Sequence, residues 1–157
     1  MAAGGKPHCT GASDGVSVPH ERTSVRMARQ VFADRLAAAG VPPEERDDAM
    51  LVLSELVSNA VRHAAPLPSG EITARWEVGD DLLHIEITDG GGGTRPHPSV
   101  PLLSALGGRG LDIVRTVSSQ WGVTEDHDTV TVWAEVPRTP RGLNRAAATD
   151  LTAQASH

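Results

Sequence analysis

Residues Glu55–Ala64 read ELVSNAVRHA, an apolar run interrupted by a glutamate and an asparagine four positions apart. Working outward from it, Ala49, Val52, Leu53, Leu56, Val57, Ala60, Val61 and Ala64 recur at three- and four-residue steps. That spacing predicts one long amphipathic helix with a buried stripe. Its start lies in VPPEER, Val41–Arg46. Pro43 suits a first helical turn, and Glu44 and Glu45 suit the positive end of the helix dipole. The helix must stop before Pro66.

Upstream, Val25, Ala28, Val31, Phe32, Leu36 and Ala39 predict a second amphipathic helix over about Arg22–Ala39, ended by Gly40. Downstream, EITARWEV (71–78) and DLLHIEIT (81–88) alternate apolar and polar residues around Gly79-Asp80. They predict a hairpin with one buried face. GRGLDIVRTVSSQ (108–120) predicts a third helix, with Leu111, Val114 and Val117 on its inner side. Trp121–Thr124 and Thr129–Val136 predict two closing strands. Val16 and Val18, alternating with Ser17, suggest a short edge strand. Tight turns between successive strands imply a mostly antiparallel sheet. The expected class is α/β, a two-layer α/β sandwich with helices on one face of the sheet. The expected organisation is a tail over 1–19, one domain over 20–137 and a second tail over 138–157.

Composition narrows the chemistry. The 157 residues are 39% hydrophobic, enough for a core, and carry a net charge of −6. The acidic excess lies between the two tails, because 1–19 holds only Lys6 and Asp14 and 138–157 is net basic. An acidic domain without basic patches argues against nucleic acid as the main partner. No window approaches the roughly 20 apolar residues of a membrane span, and the N-terminus lacks the apolar stretch of a secretory signal. The expected setting is therefore soluble, cytoplasmic and without membrane contact. Cys9 is the only cysteine, so an intrachain disulfide is excluded. Lys6, the only lysine, lies outside the expected domain, which argues against a Walker A loop and against Schiff-base chemistry.

Three stretches carry chemistry. At about 100° per residue, Glu55, Asn59 and Arg62 fall in one narrow sector beside the apolar stripe. The amide oxygen suits Mg²⁺, the carboxylate suits proton acceptance, and the guanidinium suits phosphate oxygens. ITDGGGGT (87–94) ends an apolar strand in Asp89 followed by glycines, which permits close backbone approach to a ligand. A carboxylate there can accept from an exocyclic amine such as that of adenine. GGRGLDIV (107–114) leads glycines into a helix N-terminus, an anion site. Singly, each has an ordinary alternative: a solvated face, an Asp-Gly turn, the first turn of a helix.

Together and in this order, they resemble the GHKL, or Bergerat-fold, ATP-binding proteins. ELVSNAVRHA looks like the N box, DGGGG like the first glycine box and GGRGL like the second. With PPEERDDAMLVLSELVSNAVRHA and TVWAEV (131–136), the narrower resemblance is to single-domain anti-sigma-factor serine/threonine kinases of actinomycete type. The resemblance implies ATP and Mg²⁺ as cofactors, with Asn59 on the metal and Glu55 as general base for a serine hydroxyl. It implies Arg62 as a phosphate contact and Asp89 on the adenine amino group, with Gly91 and Gly93 giving backbone access. Gly108, Arg109, Gly110 and Leu111 would line the phosphate side, and Thr131 would lie near adenine. It also implies an anti-sigma-factor antagonist of the STAS type as substrate, a sigma factor as a further partner, and homodimers. Thr129-Val130 replace a Gly-Lys pair common in relatives, and the Thr94–Leu106 lid is short and proline-rich.

Two other readings stay open. One is a nucleotide-binding partner-switching module with little or no transfer. The other is a scaffold with a vestigial pocket. His20-Glu21-Arg22-Thr23 lacks the proline of a histidine-kinase phosphoacceptor box, His63 reads as a helix-end residue, and His84 and His97 lack ligand partners at useful spacing. Trp76 and Trp133 read as packing residues on strands.

Overall fold

The computed structural model describes residues 13–91 and 109–138. The chain runs β1 (Ser13–Pro19), α1 (Ser24–Ala38), α2 (Pro43–His63), β2 (Glu71–Val78), β3 (Leu82–Asp89), α3 (Arg109–Val117), β4 (Gln120–Asp126) and β5 (Thr129–Pro137). The strands form one sheet in the order β1-β2-β3-β5-β4, antiparallel throughout. This is the two-layer α/β sandwich expected from the element pattern.

The edge strand suggested by Val16 and Val18 is longer than its apolar residues indicate. It pairs with β2 from Ser13↔Glu77 to Pro19↔Glu71. Backbone pairing extends beyond the two apolar positions that signalled it, because hydrogen bonds along a ladder do not depend on the side chain.

The core lies between the sheet and the helices. Strand parity sorts it: Ile72, Ala74 and Trp76 on β2, Leu83, Ile85 and Ile87 on β3, and Ala134 and Val136 on β5 are all buried. Ala28, Phe32 and Leu36 of α1, and Ala49, Val52, Leu53, Leu56, Val57 and Ala60 of α2, meet them. Phe32 and Trp76 pack edge to face at 4.8 Å between ring centroids. Ala39, assigned to the apolar stripe of α1, is exposed because it caps the helix.

The helix ends follow their sequence signals. Gly40 adopts φ 78°. Its N–H donates to Ala37 O, and that of Val41 donates to Leu36 O, which satisfies the last carbonyls of α1. Pro43 stands at the start of α2, with Glu44 and Glu45 in its first turn. α2 packs against α1, α3 and β3 and so occupies the middle of the helical layer.

The opposite face of the sheet is polar. Ser17, Thr73, Thr88, Thr131 and Thr124 stand in one register row across all five strands. Trp133 stacks on His84 at 5.8 Å on that face and lies against Gly122, where a Cβ would sit 2.8 Å from the indole.

Candidate functional site

Two adjacent elements bring the central residues together. On α2, Glu55 and Asn59 are half-buried and Arg62 is exposed, beside the buried stripe. Among the described residues the Asn59 Nδ2 is buried without a hydrogen-bond partner. A buried amide with no protein partner is uncommon, since such groups are nearly always satisfied. An unpaired amide N–H fits an acceptor atom of a ligand, such as a phosphate oxygen, and not a cation.

Asp89 ends β3 on the inward parity and is only 4% exposed. Its Oδ1 accepts the Gly91 N–H at 2.7 Å. Burial pushes the carboxyl up to about 6, while the Gly91 hydrogen bond and the nearby His20 ring act in the opposite direction.

The ends of α2 and β3 are sewn together. The Ala65 N–H donates to Gly91 O at 2.6 Å, and the Gly90 N–H donates to Ala65 O at 2.8 Å. The approach is so close that a Cβ on Gly90 would fall 2.1 Å from Pro66 O. Gly91 takes φ 80°, which a glycine adopts without strain. The glycines after Asp89 therefore serve chain packing as well as access.

Arg109 opens α3, with Gly110 and Leu111 in its first turn, and this helix packs on α2. Gly93, Gly108 and the segment expected as a lid lie outside the described residues. Thr131 is not brought to Asp89. It faces Thr88 directly, with their hydroxyls 2.8 Å apart, on the polar face of the sheet. Val130 is the residue opposite Asp89. The reason is strand parity: neighbours along β5 point to opposite faces, and Val130, Val132, Ala134 and Val136 take the inner one.

With this geometry in place, comparison with known proteins is decisive about family. The family of histidine kinase-like ATPase domains matches residues 18–136. The chain belongs to that family. No curated protein matches the sequence. Among solved structures, the RsbU and RsbW domains of Rv1364c from Mycobacterium tuberculosis share the fold, with a TM-score of 0.61 at 17% identity. The alignment covers 83% of this chain and 34% of that one, so this histidine kinase-like ATPase domain spans about a third of that protein's length.

Two contacts of this ATPase domain were not legible as site features. His20 reaches the α2 end through its ring, with backbone carbonyls as partners. Such acceptors leave no side-chain pattern to read. Arg138, assigned to the second tail, donates through Nε to Glu45 at 2.9 Å and through a terminal nitrogen to Gly79 O at 2.6 Å. Among the described residues, no cluster of His, Cys, Asp and Glu suits a metal. No helix among them is long and apolar enough to cross a membrane.

Proposed function

We propose that the protein is a Mg²⁺-dependent serine/threonine kinase that uses ATP to phosphorylate an anti-sigma-factor antagonist, within a switch that holds or releases a sigma factor. One observation carries the nucleotide part: Asp89 is a buried carboxylate at a strand end, beside a seam of glycines. A buried acid without an ion pair is costly, and adenine's amino group is a donor of the kind it lacks.

Mg²⁺ prefers hard oxygen ligands, which the Asn59 side-chain oxygen supplies, while the buried Nδ2 donor suits a phosphate oxygen. Bound there through Asn59 Oδ1, the ion would neutralise charge on the phosphates. Glu55, one turn before Asn59, accepts the proton of the acceptor hydroxyl. The serine oxygen forms a bond to the γ-phosphorus as the bond from that phosphorus to the bridging oxygen breaks, and ADP leaves. Arg62 and the start of α3 supply positive charge to the phosphates. Such transfer rests on positioning and electrostatics.

The test is calorimetry of ATP and ADP with and without Mg²⁺, followed by single-turnover transfer to a serine-bearing antagonist. Glu55→Gln is expected to bind nucleotide as before and to lose transfer by a factor on the order of 10² or more. Undiminished transfer removes Glu55 as the base. Absence of nucleotide binding by the folded natural chain removes the kinase reading altogether.

A further inference from the structure

His20 sits on the connection between β1 and α1, where three parts of the chain meet. Its backbone N–H donates to Gly70 O at 3.2 Å, just before β2. Its ring Nε2 lies 3.0 Å from Ala60 O and 2.7 Å from Ala64 O. Both oxygens can only accept, so Nε2 carries a hydrogen and donates to them. Ala64 caps the C-terminus of α2, and its carbonyl has no partner within the helix. The negative end of a helix favours a donor that can also carry positive charge. The same ring acts electrostatically on Asp89, against the effect of burial.

We propose that His20 is a positioning residue of the nucleotide site, fixing the C-terminal end of α2, which the Ala65–Gly90 and Ala65–Gly91 backbone bonds join to the strand end that carries Asp89. The proposal rests on the nucleotide reading given above and adds to it the device that holds the adenine acceptor in place. Ala60 follows Asn59 directly, and Ala64 precedes the residue that pairs with Gly90 and Gly91. A shift of the helix end therefore moves Asn59 and Asp89 relative to one another. The charged groups next in sequence to these contacts are Glu21 and Arg22 on the connection, Arg62 and His63 at the end of α2, and Glu71 at the start of β2.

Two variants separate the clamp from its charge. His20→Gln keeps an N–H donor without charge, and His20→Ala removes both. Three quantities are measured: affinity for ADP and for inosine diphosphate, which has a carbonyl oxygen in place of the amino group; amide hydrogen exchange at Ala65 and Gly90 in nucleotide-free protein; and the pH titration of the Asp89 carboxyl carbon by NMR. The natural chain is expected to prefer ADP by about tenfold or more. His20→Ala is expected to lose most of that preference and to exchange faster at Ala65 and Gly90. His20→Gln is expected to restore the protection and much of the preference. In both variants Asp89 should titrate at higher pH, because the electrostatic effect of His20 that opposes burial is removed. Equal weakening for both nucleotides with the preference intact, or unchanged exchange at the seam, overturns the proposal. If the natural chain binds neither nucleotide, the kinase reading fails. Exchange and carboxyl titration then decide alone whether His20 holds this seam. If His20→Ala does not fold, His20→Gln decides, and an unshifted Asp89 titration overturns the electrostatic part.

Discussion

At the scale of single residues, the burial of Asp89 works against stability at neutral pH. Its carboxyl titrates at about 6 rather than the usual 3.8, because burial disfavours the charged form. Between those two values the folded protein holds this proton more tightly than the unfolded chain. The contribution of Asp89 to stability therefore falls as pH rises through that window and is level above it. Asp89→Asn keeps an oxygen for the Gly91 N–H and removes the charge. It is expected to raise nucleotide-free stability near pH 7.5 by an amount on the order of 1–3 kcal/mol, and to have no such effect below about pH 4. Urea denaturation at the two pH values checks this, and a less stable variant near neutral pH contradicts it. The same variant should lose adenine nucleotide binding. Asp89 was legible because an apolar alternation ran straight into an acid and glycines. Thr131 was misplaced although the signal was present: the alternating Val130, Val132, Ala134 and Val136 already assign it to the other face. His20 was not legible, since its partners are main-chain oxygens supplied forty or more residues away.

Among the elements, α2 carries most of the argument, and its periodicity made it readable. Six of its apolar positions are fully buried, and its polar sector holds Glu55, Asn59 and Arg62 on one side. The sequence could not show how tightly the chain leaving this helix is bound to β3. Gly90→Ala tests that seam. Its Cβ would collide with the Pro66 carbonyl, a backbone atom that cannot swing aside. The expected loss is about 2–3 kcal/mol, read by chemical denaturation, together with weaker nucleotide binding. An unchanged midpoint would mean that the seam opens freely. At the other end of the helical layer, Gly40→Ala forces a residue with a Cβ into φ 78° and should cost about 1 kcal/mol without altering nucleotide affinity.

For the whole molecule, the informative contact joins residues 93 positions apart. Arg138 is nearly buried and holds the Glu45 carboxylate at the start of α2, while its backbone N–H donates to Asp81 O. Arg138→Ala leaves Glu45, 7% exposed, without its cation and should cost about 3 kcal/mol. Adding Glu45→Gln should recover part of that loss, as a double-mutant cycle by thermal denaturation would show. Equal stability of natural and variant chains would reduce the contact to a surface pair. By contrast, the exposed Arg35–Asp14 pair should contribute little. The sheet order has a consequence in time. Among the described residues β4 pairs only with β5, and β5 lies between β3 and β4. During synthesis, β1, β2 and β3 can pair among themselves, but β4 waits unpartnered until the strand after it has left the ribosome. The hydrogen-bonding edge of β3 that β5 takes stays unpaired for the same interval. The sheet can therefore close only after β5 is made, when it enters between two strands already synthesised and Arg138 reaches Glu45 behind it.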